Sequence, residues 1–199
     1  MVDPGHGGTD AGARGSSGIL EKDVVLQFAL ALRNELQKQG VPVVLTREKD
    51  ENPSFDDRAA LANSYRGALF VTLHASSTGA PGTVRSYYFG GQRQTTPDQQ
   101  EKTRGLLKWD EAQLAFTESS RKLAAGIQTQ LKQRFGASPE AAAAGSLRQL
   151  RSVTAPAVAV EVASVSVPER KTLDQMAPAL AEALARALTA FRATQGETH

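Results

Sequence analysis

The sequence predicts an α/β fold, a single-domain three-layer sandwich with a mixed, mostly parallel sheet flanked by helices. Three observations predict it. Continuous apolar runs at residues 68–73 and 157–162 read as strands buried on both faces, the pattern of sheets covered by helices. These runs alternate with stretches of helical periodicity, as layered α/β domains do. At 199 residues, 40% of them apolar, the chain can bury one sizeable core.

Taken in order, residues 2–8, V-D-P-G-H-G-G, form a scrap of strand that breaks at Pro4. Gly5, Gly7 and Gly8 let the backbone turn sharply and come close to a bound group, which places His6 on a turn at a strand end. Open α/β sheets carry their ligands at such ends. A glycine-rich loop with Gly12, Gly15 and Gly18 then gives way to a packed helix over residues 21–39, with Gly40 as its C-terminal cap. Residues 41–46 read as a buried strand with Pro42 at its start. Ser54 caps a second helix over residues 55–65. Arg47 and Arg58 have two readings, contact with an anionic substrate or pairing with Asp50, Asp56 or Asp57.

The run at 68–73 ends on His74, so two of only three histidines stand at strand ends. Residues 79–82 turn the chain into T-V-R-S-Y-Y-F, an alternating strand near the sheet edge, where Tyr87 and Tyr88 either line a groove or pack. Residues 92–110, with the single Trp at 109, read as a polar loop beside the site. A long helix is expected over 111–135, a loop over 136–145 and a strand over 146–153. Pro156 introduces the next strand, A-V-A-V-E-V, and a short helix follows Pro168. Met176, Leu180, Leu184, Leu188 and Phe191 then make a helical stripe that packs on the sheet. Residues 195–199 fray, which makes His199 a poor ligand.

Chemistry concentrates at four positions. Neutral imidazole is the commonest metal ligand, and a catalytic zinc takes three protein ligands, so His6 and His74 call for a carboxylate. Glu21 is the best placed, although an acidic residue in a first helical turn is also what the helix dipole favours. Glu161 is a single charge inside an apolar strand, costly unless it is paired, metal-bound or protonated; Arg148 and Arg151 are the nearby pairing partners. A carboxylate beside a metal-activated water can take its proton and deliver it to a leaving amine.

Composition excludes several classes. With 23 basic against 21 acidic residues and no basic run, there is no nucleic-acid footprint. The absence of cysteine rules out disulfides, thiolate ligands and a cysteine nucleophile. No apolar stretch approaches the roughly 18 residues of a membrane span.

D-P-G-H-G-G-T-D-x-G-A near the start, E-K-D opening the first helix, L-H-A-S after a hydrophobic strand and P-A-V-A-V-E-V near the end resemble, in order and spacing, the zinc-dependent N-acetylmuramoyl-L-alanine amidases of bacterial cell-wall turnover. Thr46 with Arg47, and D-R-A-A-L-A-N over residues 57–63, are secondary matches. The resemblance implies one zinc held by His6, Glu21 and His74, with Glu161 as the catalytic carboxylate. Asp3 at the strand end either orients a ligating histidine or caps a turn. It implies peptidoglycan as substrate, cut between N-acetylmuramic acid and L-alanine, an exported, periplasmic or wall-associated location, and an activator protein or wall-targeting domain outside this chain. Regulated relatives plug their metal site with an inserted helix, a role Glu111 or Glu118 could take here, but the continuous apolar pattern through Phe135 favours an ordinary packing helix. After Glu161 this chain reads V-A-S-V-S-V where the family commonly reads Gly-Phe-Leu-Ser-Asn. Because only Met1 and Val2 precede Asp3, the expectation is one catalytic domain over residues 1–199, excised from a longer exported protein. The competing readings are a zinc peptidase acting within the stem peptide and a catalytically silent wall-binding module.

Overall fold

The computed structural model describes residues 1–91 and 109–196. The expected loop at 92–110 therefore lies almost wholly outside the described residues, as does His199. A five-stranded sheet in the order β1-β2-β5-β3-β4 forms the middle layer. Its strands are β1 (Val2–Pro4), β2 (Phe70–Ser76), β3 (Thr83–Phe89), β4 (Ala143–Gly145) and β5 (Ala157–Ala163). β1, β2 and β5 are parallel, β3 runs antiparallel to β5, and β4 is parallel to β3, which is the mixed, mostly parallel sheet expected.

One helix layer holds α1 (Glu21–Lys38), α3 (Thr117–Arg134) and α6 (Ala177–Gly196). Phe28, Leu32, Ile127, Leu131, Leu180 and Leu184 bury the main core against Leu73, Val160 and Val162. Each large side chain removed from water there contributes about 1.5–3 kcal/mol. The opposite face carries α2 (Phe55–Asn63), the single turn α4 (Arg148–Arg151) and a 3-10 helix over Trp109–Phe116. Phe70, Phe89, Leu150 and Val153 form a smaller core there. The short α5 (Arg170–Asp174) leads into α6.

Strand alternation decides what faces this second layer. Val71, Leu73 and Ala75 of β2 and Val158, Val160 and Val162 of β5 point to the main core. Thr72, His74 and Glu161 therefore share the other face, and so does Asp3, the register partner of Thr72. His74 is not the end of its strand, because β2 runs two residues further and keeps His74 in the ladder.

Three expected elements differ. Residues 41–46 form no strand: Val2 donates to the Val44 carbonyl and accepts from the Thr46 N–H, leaving one isolated bridge at Leu45. Pro42 has no N–H to give, and three-residue β1 offers little edge to pair with. Residues 146–153 contain a helical turn instead of a strand, since Leu150 and Val153, three apart, both bury in the second core. The helix expected at 111–135 is a 3-10 segment followed by α3. Gln113 pins that segment, donating to the Val153 and Ala155 carbonyls and accepting from the Ser120 hydroxyl. Ser54 caps α2 as expected, in a reciprocal capping box with Asp57.

Candidate metal site at the strand ends

Two buried arginines build the loop that presents His6. Past Pro4 the chain leaves the ladder, so its carbonyls need other donors. Arg47, 2% exposed, donates to Pro4 O, Gly5 O, Lys22 O and Lys49 O. Arg58, 5% exposed, donates to Pro4 O and His6 O and pairs with the buried Asp3 carboxylate. Neither arginine pairs with Asp50, Asp56 or Asp57 as one of the expected readings had it, although Arg58 lines the cleft over the site. Lys22 adds a bond to Gly8 O, and Asp50 holds both Lys22 and the Gly8 N–H. His6 itself adopts φ +57, in the left-handed region that non-glycine residues seldom occupy. The arginine clamp over-determines that conformation.

Glu21 enters from the helix layer as the first residue of α1 and is almost fully buried. Its Oε2 accepts the Ala13 N–H, while Oε1 accepts the Ala75 N–H and lies 2.9 Å from His74 Nδ1 and 3.2 Å from His6 Nε2. One carboxylate oxygen thus sits between two imidazoles whose rings meet edge to face at 5.2 Å. Burial pushes the Glu21 carboxyl up, but the bonds from His6, His74 and the Ala13 N–H outweigh it and hold the group well below the usual carboxylate range. The bond to Glu21 raises His6, with Asp10 adding to it and burial opposing.

The far side of each ring is also spoken for. Asp10 Oδ2 lies 2.8 Å from His6 Nδ1, so Nε2 is the His6 nitrogen that faces the centre. Thr72 donates its hydroxyl proton to Asp3 Oδ2, so its oxygen is an acceptor 3.3 Å from His74 Nε2. Nδ1 is then the His74 nitrogen that faces Glu21. Asp3 thus orients His74 through Thr72. The Gln149 amide also lies 3.3 Å from Nε2.

Two glycines permit this convergence. A Cβ on Gly5 would stand 2.5 Å from the His74 ring. On Gly12, φ +64, it would stand 2.5 Å from Glu21 Oε2 and 2.7 Å from a His6 ring carbon.

Chemically, His6, Glu21 and His74 form a group able to hold a metal ion, with one ligand atom from each within 4.8 Å of the others. Ligands about 2.0–2.1 Å from a tetrahedral zinc are about 3.3 Å apart, close to the two spacings around Glu21 Oε1. Glu161 stands beside this group, half-buried, its Oε1 3.4 Å from the Tyr87 hydroxyl. Burial, and then the Glu161 charge, raise Tyr87, which stays a donor. Tyr88 packs against the main core instead. Glu118 pairs with Arg121 on the exposed side of α3. The cleft over the site has a volume of about 470 Å³ and is lined by His6, Asp10, Phe55, His74, Arg148 and Gln149 among others. A more apolar cavity of about 260 Å³ around Met1, Leu36 and Leu188 has no metal-ligating side chain in its lining.

The sequence gives no role to Asp10, Thr72 or Gln149, and shows Gly12 only as part of a glycine-rich loop. The signals for the first two were present: Asp10 follows His6 by four residues, and Thr72 shares the His74 face by strand alternation.

The family model for N-acetylmuramoyl-L-alanine amidase matches residues 1–190. The sporulation-specific N-acetylmuramoyl-L-alanine amidase of Bacillus subtilis (strain 168) is 43% identical over 91 residues, covering 45% of this chain and 35% of that protein. The germination-specific N-acetylmuramoyl-L-alanine amidase of the same strain is 28% identical over 189 residues, covering 86% of this chain and 69% of that protein. The match thus spans about a third of the first relative's own length. Among solved structures, the catalytic domain of CwlV, an N-acetylmuramoyl-L-alanine amidase from Bacillus (Paenibacillus) polymyxa var. colistinus, superposes with a TM-score of 0.67 at 27% identity, over 96% of this chain and 95% of that one. With the family model running from β1 into α6, the chain belongs to the N-acetylmuramoyl-L-alanine amidase family.

Proposed function

We propose that this chain is the catalytic domain of a zinc-dependent amidase that hydrolyses the bond between N-acetylmuramic acid and L-alanine in peptidoglycan. The observation that carries this reading is the convergence of His6, Glu21 and His74 on one point, with Glu161 in register beside His74. His6 Nε2, Glu21 Oε1 and His74 Nδ1 would hold the metal, their other ring nitrogens engaged by Asp10 and Thr72. Bound zinc supplies a Lewis acid that polarises the scissile carbonyl and makes water acidic near neutral pH.

The chain's own groups do the rest. Glu161 takes the proton of the attacking water and passes it to the departing L-alanine nitrogen, because that amine leaves only once protonated. The Tyr87 hydroxyl holds Oε1 of Glu161, leaving its other oxygen for the proton. The buried Asp3–Arg58 pair and the Arg47 clamp keep His6 and His74 in place.

Family membership supports peptidoglycan as substrate, and with it an exported, wall-associated location and an activator or wall-targeting domain outside these residues. No helix among the described residues is long and apolar enough to cross a membrane.

The test is zinc content together with release from purified sacculi, before and after chelation and zinc restoration. About one zinc per chain, with chelator-sensitive release of stem peptides beginning at L-alanine, is the expected result, and Glu161→Gln keeps the zinc but loses the release. New amino-acid ends within the stem peptide would make the chain a peptidase. Zinc without release would mean a silenced or autoinhibited site, and no zinc at all a wall-binding module.

A further inference from the structure

The cleft over the metal site does not end at the histidines. A second hollow, about 140 Å³, continues from it and shares Phe55, Asp56, Arg148 and Gln149 as a common wall, with Trp109 on its far side. Phe55 is 44% and Trp109 51% exposed, large apolar surfaces beside a polar site. The Arg148 guanidinium lies over the Phe55 ring, 4.9 Å from its centroid. Stacking of this kind holds the fork flat and ordered before any ligand arrives, so little rotamer freedom is lost on binding. Arg148 adjoins Gln149, whose amide lies 3.3 Å from His74. Arg148 lines the same cleft as His6 and His74, so a substrate held at the metal group extends past it.

We propose that Arg148, stacked on Phe55, forms a subsite that binds a carboxylate on the peptide side of the scissile amide, with Trp109 flanking the hollow beyond it. This rests on the amidase reading for the identity of the bound arm, and names the acidic peptide as the group the site selects. A planar guanidinium accepts a carboxylate through two parallel N–H donors, a geometry that a neutral side chain cannot offer. Asp56 on the same wall opposes an anion, so the carboxylate is held on the Arg148 side.

The test measures binding of N-acetyl-L-alanyl-D-glutamate and of the same dipeptide as its diamide to the zinc-loaded full chain. A Glu161→Gln background prevents turnover. The diacid is expected to bind about fivefold or more tightly than the diamide, the modest preference of a solvent-accessible charged hydrogen bond. Arg148→Gln is expected to abolish that preference while leaving diamide binding unchanged, and Arg148→Lys to restore it in part. Arg148 is exposed, and an unchanged melting temperature establishes that the variants fold.

A diacid preference that survives Arg148→Gln places the carboxylate elsewhere, on the metal for instance, and overturns the proposal; equal binding of diacid and diamide by the parent also overturns it. Sacculus digestion separates the two claims. If no L-alanine-ended peptides are released and the Arg148-dependent preference remains, the amidase reading fails and the subsite stands.

Discussion

His74 and Glu161 are register partners on neighbouring parallel strands, β2 and β5, and project from the same face of the sheet. Adjacent strands lie about 4.8 Å apart, so the ladder itself sets the spacing between the imidazole proposed to hold the metal and the carboxylate proposed to move the proton. Both sit inside strands, where the backbone cannot drift, which suits groups that must hold their geometry.

Loss of one ligand is expected to empty the site. His74→Ala should leave the chain without stoichiometric zinc by metal analysis. Chelation of the unsubstituted chain, starting from free zinc about 1,000-fold above Kd, should remove about 4 kcal/mol of stability, read as a drop in melting temperature. A His74→Ala variant that keeps one zinc per chain would refute the ligand set.

Zinc uptake should weaken as pH falls. In the metal-free chain His6 is raised, first by Glu21 and then by Asp10, so its proton contributes stability below the usual imidazole value. That contribution is lost as pH rises through the raised value. The metal needs the neutral ring, and affinity should drop about tenfold per pH unit below the raised value. Glu21, held far below its usual range, stays ionised throughout. A chelator-competition titration from about pH 5.5 to 8 reads this, and a flat profile would contradict it.

Gly12→Ala should damage the site more than the fold. The left-handed φ costs about 1–2 kcal/mol, and the added methyl would press on Glu21 and His6 together. Zinc affinity is expected to fall at least about tenfold while the circular dichroism spectrum persists. Gly18→Ala has open space at its Cβ and should pay only the backbone cost.

Arg58→Met should be among the most destabilising single changes, about 3–5 kcal/mol by urea denaturation, because it leaves Asp3 as an uncompensated buried charge. Adding Asp3→Asn should recover part of that loss. Recovery of nothing would mean that the orphaned Pro4 and His6 carbonyls, not the charge, dominate.

Tyr87→Phe keeps the ring and removes only the hydroxyl on Glu161. Packing is preserved, so a fall of about threefold to tenfold in kcat with unchanged KM and zinc content would locate the effect in proton transfer. No change in kcat would make Tyr87 a wall residue.

The four chemistry-bearing residues were legible because each stands out from its surroundings: two histidines at breaks in apolar runs, a carboxylate at a helix start, and a carboxylate inside a buried strand. The layer order was legible from the alternation of periods. Arg47 and Arg58 were not. A sequence displays charges and invites pairing them with other charges, whereas these guanidiniums answer backbone carbonyls that lose their partners where β1 stops. Thr72 was hidden for a related reason, since its role depends on Asp3 lying across the ladder. Residues 41–46 and 146–153 were misread because short apolar runs fit strand, edge and helical turn alike.

The clamp on the His6 loop also bears on the order in which the molecule can be assembled. Its bonds from Arg47 and Arg58 to residues 3–6 join positions 42 to 55 apart, and the His74 contact to Glu21 spans 53. Such contacts carry a loop-closure cost that only a nearly finished fold repays. An ion meeting the nascent chain finds His6 and Glu21 on unclamped backbone and His74 far away in sequence. A metal held as proposed would therefore meet a completed architecture and not template it, so folding without metal, followed by loading, is the route this topology favours.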